Sequence, residues 1–192
     1  MKTTIKLTIL LPMMAVLPLA AAAVSAQQPV KMTFSGTSAN SVINLQQPDT
    51  SDDEDTFAGT GSLGSFTLRN VRAISNSLGS SSTCSGSNDL YFAETAGTGV
   101  FRFEDGSLLL VQLTKGGDCI DLATNEAHCT LSFQVTGGTG RFKNASGTLI
   151  FTETATAVAF DTLGNPVLFT ATGGFTGAIY GVHDEQEPGE GH

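Results

Sequence analysis

Val100-Phe101-Arg102-Phe103-Glu104, then Asp105-Gly106, then Ser107-Leu108-Leu109-Leu110-Val111-Gln112-Leu113, is two alternating runs joined by a turn dipeptide. Phe101 and Phe103 fall on one face against Arg102 and Glu104, and Leu109, Val111 and Leu113 share a face of the second run. A period of two is the side-chain spacing of a half-buried strand. Asp-Gly supplies the positive φ that a tight reversal needs. The stretch therefore predicts an antiparallel hairpin.

The same period extends outward. Leu131, Phe133 and Val135 alternate with Thr130, Ser132, Gln134 and Thr136, and further strands are predicted at 30–36, 65–74, 90–95, 148–160, 166–172 and 175–182. Leu163-Gly164-Asn165-Pro166 reads as a turn, and Gly173-Gly174 as the next reversal or a bulge. No segment of the body sustains an apolar period of 3.6 residues. About eight or nine strands with short connections predict an all-β chain: a single antiparallel, meander-like β-barrel, with a β-sandwich as the alternative. Gly-Thr-Gly recurs at 59–61, 97–99 and 138–140, but a propeller needs a fuller repeat, so each reads as the opening of a strand or relief of crowding at a bend.

At the N-terminus, Lys2 and Lys6 precede an apolar run over 7–23, and Val24-Ser25-Ala26 offers small residues at a cleavage site. That is the order of a secretory signal peptide, expected to be removed after Ala26. Pro12 and Pro18 interrupt the run, which argues against a membrane span. Residues 27–182 are expected to form the barrel domain and 183–192 a disordered acidic tail. Of the chain's 18 acids and nine Lys or Arg, the leader carries only Lys2 and Lys6, which leaves seven cations against 18 acids. So acidic a domain lacks the basic footprint that nucleic acid or an anionic membrane surface requires. The stretch 48–55, PDTSDDED, reads as a solvated acidic loop; it lacks the ligand order of a calcium loop.

Val135-Thr136-Gly137-Gly138-Thr139-Gly140-Arg141-Phe142-Lys143-Asn144-Ala145-Ser146-Gly147 resembles the glycine-rich strand junction of the allene oxide cyclase and dirigent barrel superfamily. The matching positions are Gly137, Gly138, Gly140, Phe142 and Gly147. Their physical duty is a tight reversal at positive φ with Phe142 returning to the core. A phosphate-binding loop would instead open a helix and carry a Lys. The resemblance implies a barrel whose interior holds a small hydrophobic molecule and guides its cyclisation or coupling by shape. It supplies no catalytic set.

Other chemistry is sparse. Glu153 shares a face with Leu149, Phe151 and Ala155, and Glu94 shares one with Leu90 and Phe92. If those faces point inward, Phe92, Glu94, Phe151 and Glu153 are the candidate ligand-binding residues, with desolvated carboxyls suited to proton transfer. A lone Glu is rarely buried, however, so a bulge or rim returning each to water is the favoured reading. Cys119, His128 and Cys129 with Asp118 and Asp121 lack the C-x-x-C of a structural zinc site. A Cys119–Cys129 disulfide with Cys84 free is expected instead, worth about 3 kcal/mol by loop entropy. No G-x-S-x-G elbow accompanies the three histidines, which argues against a serine hydrolase. Asn144-Ala145-Ser146 is a glycosylation sequon. No metal or cofactor is expected, and any catalysis would be a cofactor-free isomerisation or cyclisation. The competing reading is a structural or interaction protein of the cell exterior with a filled core. An interior cavity of a few hundred Å³ separates the two.

Overall fold

The computed structural model describes residues 26–41, 47–82, 84, 89–121 and 123–183. The expected leader up to residue 25, and the tail beyond His183, lie outside the described residues. Eight strands follow one another: β1 (Gln28–Ser41), β2 (Thr50–Gly61), β3 (Phe66–Gly79), β4 (Asp89–Phe103), β5 (Leu108–Asp121), β6 (Glu126–Gly138), β7 (Ser146–Phe160) and β8 (Pro166–Tyr180). Each pairs antiparallel with the next, and β8 pairs back onto β1, so the sheet closes into one barrel. A sandwich is excluded. Closure leaves no sheet edge exposed.

Alternation decides what enters the barrel. Val30, Met32 and Phe34 of β1, Leu131, Phe133 and Val135 of β6, and Leu149 and Phe151 of β7 are all buried. The rings interlock across the interior: Phe34 stacks on Phe57 with centroids 4.4 Å apart, and Phe151 lies 5.3 Å from Phe34 and 5.1 Å from Phe175. Each buried ring contributes about 1.5–3 kcal/mol of transfer free energy.

The two ends of the barrel differ. At one end lie the β2–β3, β4–β5 and β6–β7 turns. Gly106 adopts the positive φ expected of the Asp-Gly turn. Between β6 and β7 a single 3-10 turn, Gly140–Phe142, interrupts what the sequence suggests is a direct strand-to-strand junction, and it drives Phe142 fully into the core. Arg141 then fastens the turns together. Its Nη2 donates to the Leu63 carbonyl at 2.6 Å, its Nε lies 2.8 Å from Asp105 Oδ2, and its guanidinium lies over the Phe103 and Phe142 rings. This end is packed shut. The motif at 135–147 is therefore a cap of the barrel.

Gly140 has φ of +56°, and a Cβ there would strike the Ser107 hydroxyl; a Cβ at Gly138 would strike the Leu108 carbonyl oxygen. Gly137 and Gly147 also take positive φ.

Three expectations are corrected. Gly173-Gly174 is no reversal: β8 runs through it, and the missing side chain at Gly173 makes room for the Phe34 ring. The acidic stretch is no loop from Thr50 onward. It is the first half of β2, with Asp53 and Asp55 buried. The disulfide joins Cys84 to Cys119, and Cys129 is free and buried. A register shift between Leu113 and Lys115 is the reason. Leu109, Val111 and Leu113 face inward, but beyond the shift the inward positions are even-numbered. Asp118 therefore stands opposite Cys129 inside, while Cys119 pairs with His128 on the other face.

Candidate functional site

Above the phenylalanine core lies a layer of polar side chains to which seven of the eight strands contribute. β1 supplies Ser38, β2 Asp53 and Asp55, β3 Asn70 and Arg72, β4 Glu94, β5 Asp118, β6 Cys129 and β7 Glu153, and every one is buried. The strand period explains the placement. Phe57 and Phe66 are the inward anchors of β2 and β3, and stepping by two from them reaches Asp55 and Asp53, or Asn70 and Arg72.

Arg72 is the hub. Its Nη1 donates to Glu94 and, at 3.3 Å, to Cys129 Sγ. Its Nη2 donates to Asp53 and, at 3.1 Å, to Asp55 Oδ1, while Nε lies 3.1 Å from Asp55 Oδ2. Glu153 Oε2 is 3.6 Å from Nη2. Asn70 also donates to Asp55 at 2.9 Å, and Ser38 donates to Asp53. Below, the guanidinium faces the Phe151 ring at 5.7 Å, a cation–π contact that ties the polar layer to the core.

Five carboxyls around one guanidinium is an unbalanced set, and burial makes the imbalance costly. The protonation equilibria respond accordingly. Burial pushes Asp53 up to about 7, against the opposing pull of Arg72. Burial likewise raises Glu94 and Glu153 well above the usual carboxylate range, and raises Asp118. The Cys129 thiol is pushed up by burial and by Asp118. Burial opposes the charge of Arg72, yet Asp53, Asp55 and Glu94 outweigh it and hold the guanidinium protonated. Burial thus favours the protonated form of Glu94, Glu153 and Asp118, and Asp53 is brought near neutrality.

On the far side of this layer, at the end carrying the 121–126 and 160–166 turns, the barrel holds a partly open cavity of about 350 Å³. Asp53, Arg72, Asp118, Cys129 and Glu153 form its floor; Ile74, Ile120, Ala127, Ala155 and Phe169 form much of its walls. Glu153 Oε1 and Glu94 Oε2 are buried and accept no hydrogen bond among the described residues.

Of the candidate ligand residues, Glu94 and Glu153 do face inward. The favoured expectation that they return to water is wrong, because Arg72 supplies the partner that a lone Glu would lack. Phe151 is core beneath the site, and Phe92 is only half-buried and is not part of the cavity wall. His128 is exposed and contacts Thr154 at 3.3 Å, so it joins neither a metal cluster nor a triad with the buried acids. Donor atoms of Glu94, Asp118 and Cys129 do lie within 4.8 Å of one another. Arg72 Nη1 is hydrogen-bonded to two of the three, and a fixed cation there opposes a metal ion.

No protein-family model matches the chain, and no curated protein sequence matches it. Among solved structures, that of the pterocarpan synthase dirigent protein GePTS1 is similar with a TM-score of 0.37 and 11% identity, over 85% of this chain and 96% of that one. At that level nothing about activity transfers, and the function is argued from this chain's own residues.

Proposed function

We propose that the protein is an exported barrel that takes up a small, largely apolar molecule in the cavity above the polar layer and guides its cyclisation or coupling there. The observation that carries this reading is the cavity itself: about 350 Å³, with aliphatic and aromatic groups on its walls beside Asn40, Asn125, Glu126 and Asn165, over a floor of ionisable ones. That volume and mixture are typical of small-molecule sites. The walls would confine the ligand in a reactive conformation. Asp53, poised near 7 on the floor, could give or take a proton at neutral pH. Export is supported by the charged, apolar and small-residue order of 1–26 and by a Cys84–Cys119 disulfide, which persists in oxidising compartments.

The phenylalanine-packed half of the barrel favours the second reading, a structural protein of the cell exterior that needs no ligand. Titration of the neutral fluorophore Prodan separates the two. Saturable binding to the wild type, abolished by Ala127→Trp, which fills the cavity from its wall, is expected if the site is functional. Absence of saturable binding, or equal binding by both proteins, would favour the structural reading.

A further inference from the structure

Donors and acceptors of the polar layer do not pair off completely, and Glu153, one of the acids left with an unpartnered oxygen, lines the cavity. A guanidinium has five N–H donors. Both protons on Nη1 are directed to Glu94 and Cys129, both on Nη2 to Asp53 and Asp55, and Nε faces Asp55 again. None of the four Nη protons goes to Glu153, and Nε, though close to Asp55, makes no hydrogen bond; Glu153 Oε1 is buried without a donor among the described residues. Asp118, also on the cavity floor, shares a hydrogen bond with the Cys129 thiol. The floor acids thus border a space in which Ile74, Ile120, Ala127, Ala155 and Phe169 offer a surface for an apolar body.

We infer that the ligand of this cavity is a small apolar molecule bearing a primary ammonium group, which Glu153 and Asp118 receive. The inference rests on the cavity being a binding site. An ammonium brings three donors and no acceptor, and it adds positive charge where four carboxyls already share one guanidinium. A carboxylate or phosphate head would meet the opposite field. A hydroxyl head can supply only one donor and no charge.

Calorimetric titration with phenylpropylamine, phenylpropanol and phenylpropanoate at about pH 8, above the value of about 7 for Asp53, holds the body constant and varies the head. The amine is expected to bind at least about tenfold more tightly than the alcohol, the scale of one charge-assisted hydrogen bond. The carboxylate is expected to bind more weakly than either. Glu153→Gln should bring the amine to within about threefold of the alcohol, since the lost term is the charge-assisted one. Asp118→Asn is the second variant, should the first not fold. If the alcohol binds as tightly as the amine, the ammonium assignment is overturned while the cavity stands. If none of the three binds, the cavity reading falls as well. An amine preference that survives in both variants would overturn the assignment to Glu153 and Asp118.

Discussion

Replacing Arg72 by Met tests whether the guanidinium holds the polar layer together. The substitution keeps an unbranched side chain over Phe151 and withdraws the cation from Asp53, Asp55, Glu94 and Glu153. Removing one partner of a buried ion pair costs about 3–5 kcal/mol, because the remaining charge is left uncompensated. For a barrel of this size that is about 6–20 °C in melting temperature. The cost should depend on pH, and its sign follows from the acids. Asp53 is raised by burial from 3.8 to about 7 with Arg72, Asp55, Asp118 and Ser38 around it, and Glu94, Glu153 and Asp118 are raised too. Such groups bind more protons folded than unfolded. Their contribution to stability is complete below the unfolded pKa and is lost as pH rises through the folded one. Wild-type stability should therefore fall between about pH 4 and pH 8, by up to ~4 kcal/mol for Asp53 alone. The penalty of Arg72→Met should be larger at the upper pH, where the stranded carboxyls are ionised. Urea unfolding midpoints of both proteins at the two pH values measure this. A penalty under about 1 kcal/mol at the upper pH, or one that does not change with pH, would refute the role given to Arg72.

Three further outcomes are expected. Gly140→Val and Gly138→Val should each destabilise by more than about 1 kcal/mol without altering Prodan affinity in the folded fraction; a variant with full thermal stability would contradict the cap geometry. Non-reducing peptide mapping should recover a Cys84–Cys119 cross-link, with Cys129 alkylated only in denaturant. Cys84→Ser should cost about 4 kcal/mol by the loop-entropy relation for a separation of 35 residues, and a Cys129-containing cross-link would overturn the pairing. Intact-mass measurement of the exported protein should place Gln27 at the N-terminus, whereas Met1 retained on exported protein would end the leader reading.

The barrel was legible because strand faces announce themselves through apolar alternation, as at Phe101, Phe103, Leu109 and Val111. The site was much less so, for the same reason. Where inward positions carry Asp53 and Asp55, alternation of acid with acid looks like a solvated run, and no hydrophobic signal marks the face. A signal did exist in the neighbouring strand. Counting by two from Phe66 and Leu68 puts Asn70 and Arg72 on the apolar face, and a buried arginine demands acids to meet it. The disulfide was misread because the register shift between Leu113 and Lys115 inverts the faces of β5, and no residue type in Thr114-Lys115-Gly116-Gly117 fixes which residue is skipped. Glycine runs mark where backbones crowd, yet they do not distinguish the reversal after β6 from the straight passage at Gly173-Gly174.

Methyl NMR of isotope-labelled isoleucine and alanine tests the binding site directly. Ile74, Ile120, Ala127 and Ala155 line the cavity, Ile179 lies fully buried elsewhere in the core, and Ile150 is partly exposed on the barrel surface. On titration with phenylpropylamine, or with phenylpropanol if the ammonium inference fails, the first four methyl sets should shift along one saturable curve while Ile150 and Ile179 stay fixed. Unmoved cavity methyls with both compounds, or shifts confined to Ile150 and the outer face, would contradict a ligand site inside the barrel.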